Sequence, residues 1–257
     1  MEIVEFGEEN EKKILLIPGN MMSWKQFDEV VPLLMKDYYV IAVSLDGYDG
    51  TGATTFTSTE SSAEKLEEYI RDSLNGRIDL AFGESFGVAA AGMLFHRQKV
   101  SVGSMIMSGP QYMDIGIFNW FITRSIPKYQ YRLLNKMKSG NSLPWLLRVY
   151  THSDEGAMLS MLEKMPANIS LDSLKNAANE ALELYKEIDK YEPDGDAHVA
   201  IWYGAKEPNM KKALKKLLRA YPNAENHPFE GYGHGDIISH PDIMVSDISK
   251  FLQERCP

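Results

Sequence analysis

The sequence predicts an α/β fold: a mainly parallel central sheet with helices on both faces, interrupted by an all-helical insertion. Three observations predict it. Short apolar runs alternate with amphipathic stretches through the first 110 residues, and strand–helix alternation at these lengths calls for crossover connections between parallel strands. The alternation stops at Gly109-Pro110, and no convincing strand follows until about residue 190. It then resumes and runs to the C-terminal region. The predicted division is a core made of residues 1–110 and 190–257, with residues 111–189 inserted as a helical lid.

Taken in order, residues 13–17 (KILLI) form a buried strand that ends at Pro18-Gly19. Residues 24–36 carry Phe27, Val30, Val31, Leu34 and Met35 at helical spacing. Residues 39–45 (YVIAVSL) are a β-branched run and read as the next strand. A polar, glycine-rich loop covers 46–57. Ser61-Ser62-Ala63-Glu64 has the form of a capping box opening a helix that reaches about Leu74. A short strand at 79–82, a small-residue helix at 88–97 and a strand at 102–107 complete the first half. The insertion is rich in Met and aromatic residues, among them Met113, Phe118, Trp120, Trp145 and Met161, and is expected to form helices broken at Pro127, Pro144 and Pro166. A strand at 198–203, a basic helix at 209–220, a strand at 225–229 and a closing helix at 243–254 follow.

The chain has 257 residues, 44% apolar and 25% charged, an ordinary globular composition. Its formal net charge of −9 argues against nucleic acid or anionic lipid as a partner. The single cysteine, Cys256, has no partner for an internal disulfide and lies far from any chemistry-bearing motif. The first ten residues lack the basic and apolar regions of a signal peptide, and no apolar run approaches the ~18 residues that span a bilayer. A cytoplasmic location and no membrane span are therefore expected.

The motif that carries chemistry is Gly83-Glu84-Ser85-Phe86-Gly87. It follows the apolar run Leu80-Ala81-Phe82 and opens a helix at Val88-Ala89-Ala90-Ala91. A turn that tight between strand and helix strains the serine backbone. The residues two before and two after the serine crowd neighbouring elements, so both must lack side chains. The turn lifts the Ser85 hydroxyl clear of the sheet, and the amide of Phe86 at the helix start is placed to donate to a developing oxyanion.

With these residues in place, the chain resembles the α/β-hydrolase family, in its lidded serine esterase-like branch, over nearly its whole length. The resemblance implies a triad in the order nucleophile, acid, histidine, and Ser85 takes the first role. Gly231-Tyr232-Gly233-His234-Gly235-Asp236 looks like the loop that carries the family's histidine, which makes His234 general base and then general acid, with His240 as the rival. Tyr203-Gly204-Ala205-Lys206-Glu207 resembles the family's acid turn, with Glu207 where Asp is more common; Asp114 and Asp236 remain alternatives. Pro18-Gly19-Asn20-Met21 resembles the family's His-Gly-x-x, with Pro18 in place of the histidine. The second oxyanion donor is then the backbone amide of Asn20, or that of Met21.

The implied activity is cleavage of a carboxylic ester or related acyl bond, in a small-molecule substrate with an apolar portion. The same three residues would also serve thioester, amide or carbon–carbon hydrolysis or acyl transfer, and the scaffold could serve as a non-catalytic receptor. No Gly-x-Gly-x-x-Gly follows the first strand and no paired Cys or His spacing stands out, so neither a dinucleotide cofactor nor a metal is expected. The Asp46–Gly52 segment reads as a structural turn, and Lys211, Lys212, Lys215 and Lys216 as a solvated helix face. The chain is expected to be a monomer or a homodimer.

Overall fold

The computed structural model describes residues 1–110, 116–138, 164–192, 194 and 196–253. Its strands are β1 (Glu2–Phe6), β2 (Lys13–Ile17), β3 (Tyr39–Ser44), β4 (Arg77–Glu84), β5 (Ser101–Ser108), β6 (Val199–Gly204) and β7 (Glu225–Phe229). They form one sheet in the order β1-β3-β2-β4-β5-β6-β7. Every pairing is parallel except β1 with β3. The helices are α1 (Val31–Leu34), α2 (Thr59–Ser73), α3 (Gly87–Arg97), α4 (Asn119–Lys138), α5 (Leu171–Ile188), α6 (Met210–Ala220) and α7 (Pro241–Gln253).

Strand periodicity divides the core into two layers. On one face Leu15, Ile17, Ile41, Val43, Met105, Met107, Val199 and Ile201 pack with residues of α2, α3 and α6. On the other, Ile14, Leu16, Val40, Ala42, Ile106, Ala200 and Trp202 pack with residues of α1 and α7. With both faces covered, the central strands read as continuous apolar runs, which is why they were legible in the sequence. The described elements between β5 and β6 are all helical, and α4 lies against α5. The start of this insertion leaves Ile117, Phe118, Trp120 and Phe121 exposed. Among the described residues no helix is long and apolar enough to cross a membrane.

Four local expectations change. The stretch 24–36 is not one helix but a 3-10 turn at Trp24–Phe27 followed by the four-residue α1. Pro32 explains the break: it has no N–H to donate and its ring clashes with the carbonyl four residues back, so it sits in the first turn of α1 instead. Helix α2 starts earlier than its expected box. Its cap is Ser58, whose Oγ accepts from the Ser61 N–H at 3.1 Å. Helix α4 continues through Pro127, giving up the one intrahelical bond that Pro127 would have donated. Strand β1 was not expected, because Glu2 and Glu5 make the segment read as mixed and acidic; it is an antiparallel edge strand that runs beside β3. Pro144 lies outside the described residues.

Candidate active site

The strands β2, β4, β5, β6 and β7 are parallel, so their C-terminal ends share one edge of the sheet, where the loops of such folds gather their chemistry. Asn20 follows β2, Ser85 follows β4, Glu207 follows β6 and His234 follows β7. At the end of β4 the chain turns sharply. Ser85 has φ +50°, in the left-handed region that a side-chain-bearing residue occupies at a cost of roughly 1–2 kcal/mol. Its N–H donates to the Ser108 carbonyl at 2.7 Å, which ties the turn to the end of β5. The flanking glycines are required by contact. A Cβ on Gly83 would lie 2.6 Å from the Gly87 carbonyl oxygen, and one on Gly87 would lie 2.4 Å from that of Ile17.

The elbow presents Ser85 to His234. Ser85 Oγ is 3.0 Å from His234 Nε2, and His234 Nδ1 is 2.8 Å from Glu207 Oε2. A carboxylate only accepts, so Nδ1 carries the proton and Nε2 is left as the acceptor facing the serine hydroxyl. Glu207 is buried, and its second oxygen accepts from the Gly204 N–H at 2.8 Å. The acid turn and the histidine loop are joined directly: the Ala205 N–H donates to the Phe229 carbonyl and the Lys206 N–H to the Tyr232 carbonyl, both at 3.0 Å. Gly204 permits this approach, since a Cβ there would lie 2.3 Å from the Gly233 carbonyl oxygen.

The sequence matches the description "Alpha/beta hydrolase family" over residues 14–247. The chain belongs to the α/β-hydrolase family. Solved structures agree on the fold. A Desulfitobacterium hafniense chain assigned to the alpha/beta hydrolase family superposes with a TM-score of 0.80 at 20% identity, covering 98% of this chain and 100% of its own. A thermophilic esterase from Thermogutta terrifontis gives 0.75 at 15% identity, with 98% and 93% covered. A structure from work on carboxylesterases of the archaeon Nitrososphaera gargenis gives 0.72 at 15%, again with 98% and 93% covered. A comparison with curated protein sequences returns no match.

In this α/β-hydrolase the loop after β2 reaches Ser85. A Cβ on Gly19 would lie 3.6 Å from Ser85 Cβ. The Met22 N–H donates to the Gly19 carbonyl at 3.2 Å, so Asn20 and Met21 form the corner of a turn, with Met21 at φ +65°. The Gly19 N–H is occupied by Gln26 Oε1 at 2.8 Å. The Asn20 side chain is held by Tyr48, whose hydroxyl donates to Asn20 Oδ1 at 2.9 Å. Tyr48 is fully buried and stacks on Phe56, which meets Phe86 edge-on at 5.2 Å. The loop at 46–57 is therefore more than a turn: it braces Asn20 on one side of the elbow and Phe86 on the other. Phe86 precedes the first turn of α3, where its N–H has no intrahelical acceptor.

The rival residues sit elsewhere or do other work. His240 stacks on Tyr232, His96 on Tyr191 and His198 on Phe251, while His227 pairs with Glu225. Asp236 accepts from the Gly233 N–H at 2.7 Å and braces the histidine loop; the hydrogen bond to His234 is made by Glu207. Asp114 lies outside the described residues, as does His152. Burial opposes a charged His234, but the Glu207 hydrogen bond and the charges of Glu84, Glu207 and Asp236 outweigh it and raise the imidazole pKa. Sequence reasoning missed Gln26, Tyr48 and Glu84. Among the described residues no group of three or more His, Cys, Asp or Glu side chains is arranged to hold a metal ion.

Proposed function

We propose that the protein is a serine hydrolase that cleaves a carboxylic ester or related acyl bond through an acyl-enzyme on Ser85. The observation that carries this is the unbroken chain of Ser85 Oγ, His234 and buried Glu207, at 3.0 and 2.8 Å, with the serine raised on a left-handed turn. His234 Nε2 takes the hydroxyl proton as Ser85 attacks the acyl carbonyl. Glu207 holds the ring and favours the imidazolium that forms. The amides of Asn20 and Phe86 donate to the tetrahedral oxyanion. They meet it where charge develops, so they stabilise the transition state more than the bound substrate. Returned to the leaving alcohol, the proton frees the acyl-enzyme, and His234 then activates water for deacylation.

Esterases are among the similar structures, which accords with an ester as substrate. In this reading residues 111–189 form a lid over the catalytic edge. The exposed Phe118, Trp120 and Phe121 of the insertion suit a small substrate with an apolar acyl or alcohol portion. The decisive experiment compares wild type with Ser85→Ala on a short activated ester, together with labelling by a fluorophosphonate. The substitution is expected to remove nearly all turnover and all labelling while the folded state persists. Turnover by Ser85→Ala close to that of wild type would overturn the proposal.

A further inference from the structure

One buried acid at the catalytic edge plays no part in that mechanism. Glu84 is the last residue of β4, directly before Ser85, and is 1% exposed. Its Oε2 is buried and has no hydrogen-bond partner among the described residues. The carboxyl hydrogen-bonds the Ser108 side chain at the end of β5. Its Oε1 faces the loops after β5 and β7. It is 3.2 Å from the point a Cβ on Gly109 would occupy and 3.4 Å from the same point on Gly235. That Gly109 point is also 2.8 Å from His234 Cε1 and 3.0 Å from Nδ1. Gly109, at φ +59°, thus leaves a space without a side chain, across which the Glu84 carboxyl faces the imidazole.

We propose that Glu84 is a positioning residue for His234, a second carboxyl beside Glu207 whose charge sets the basicity of the imidazole. The inference rests on the reading of Ser85 and His234 as the reacting pair. A residue kept at this place for packing alone would not need a carboxyl, because an ionisable group with an unpaired oxygen in a dry site destabilises the fold. The groups that bear on the pair come from four elements: Glu84 from β4, Ser108 from β5, Glu207 from the loop after β6, and Asp236 from the loop that carries His234. Desolvation pushes Glu84 up to about 7, against the opposing effects of the His234 charge and the Ser108 hydrogen bond, with the Glu207 charge adding to the rise. Glu84 and His234 are therefore coupled, since each is among the charges that shift the other. As Glu84 ionises, its charge holds the second proton on the imidazole, and the neutral base that attacks through Ser85 appears only at higher pH.

The test is a titration of the His234 ring by NMR, in the full-length protein, for wild type, Glu84→Gln and Ser108→Ala. Glu84→Gln is expected to lower the His234 midpoint by about one pH unit, the shift associated with loss of a nearby opposite charge. The acid limb of kcat/KM on a short ester should move down with it. Ser108→Ala leaves the charge in place but removes its hydrogen bond. Glu84 then ionises later and the His234 midpoint falls by a smaller amount, which keeps the proposal testable if Glu84→Gln does not fold. A His234 midpoint unchanged in the variants would overturn the inference. Failure of the serine-hydrolase reading is separately visible as turnover by Ser85→Ala, since the ring titration needs no substrate.

Discussion

Glu84 also gives the protein a stability that depends on pH in a calculable way. Its carboxyl has an ordinary value of 4.5 and is raised to about 7 in the native state, chiefly by burial. Below pH 4.5 both folded and unfolded chains hold the proton, and the carboxyl carries no penalty. As pH rises from 4.5 to about 7 the unfolded chain gives up its proton while the native state keeps it. The unfolded chain then binds fewer protons, and stability falls with rising pH. Above about 7 both states are ionised and the full penalty stays constant. At 1.36 kcal/mol per pH unit, the separation corresponds to about 3 kcal/mol. Glu84→Gln keeps the shape of the side chain but cannot ionise, so it removes this term. Urea unfolding of wild type and Glu84→Gln, in steps from roughly pH 4 to pH 8, measures it. The variant should gain about 3 kcal/mol on wild type across the window; titrations that the substitution leaves alone cancel in the difference, and the shift of His234, read separately by NMR, is subtracted. A difference that stays flat from acid to neutral pH would refute the reasoning, since it would mean that Glu84 titrates as it does in the unfolded chain.

Two further expectations concern the elbow and the loop that faces it. Ser85→Gly and Ser85→Ala both lack the hydroxyl, but only glycine relieves the φ of +50°; thermal unfolding should find Ser85→Gly more stable than Ser85→Ala by about 1 kcal/mol, and the reverse order would show that the turn is not strained. Tyr48→Phe removes the hydroxyl that holds Asn20 Oδ1; steady-state kinetics should give a kcat lower by about tenfold with KM nearly unchanged, because a misplaced oxyanion donor weakens transition-state binding more than substrate binding. An unaltered kcat would remove Tyr48 from the support of the proposed oxyanion donor Asn20.

Much of the candidate site could be read in the sequence because its chemistry is tied to local backbone geometry. Gly83 and Gly87 mark a turn in which any side chain would collide with neighbouring backbone, and that collision is visible as spacing. Glu207 lies three residues beyond Gly204, and His234 sits among glycines because two loops pack backbone to backbone there. The residues that escaped notice act across distance in the chain. Tyr48 reaches Asn20 over 28 positions, and Glu84 comes near the imidazole of a residue 150 positions later only because β4 and β7 end at the same edge of one sheet. As a sequence, Glu84 is merely the variable letter of the motif.

The amino-acid order alone determined the parallel strands, the helical insertion and the serine on its turn. These follow from apolar periodicity and from steric demands confined to a few neighbouring residues. Local order also held traps. The apolar spacing at 24–36 runs straight across Pro32, and the acidic Glu2 and Glu5 hid an edge strand that pairs with β3. The tertiary structure decided which carboxylate meets His234, which side chains brace the loop after β2, and that a second acid lies buried near the imidazole. Hydrogen bonding and desolvation depend on what surrounds a group in space, and for these residues that surrounding is assembled from distant strands, so no window of sequence contains it.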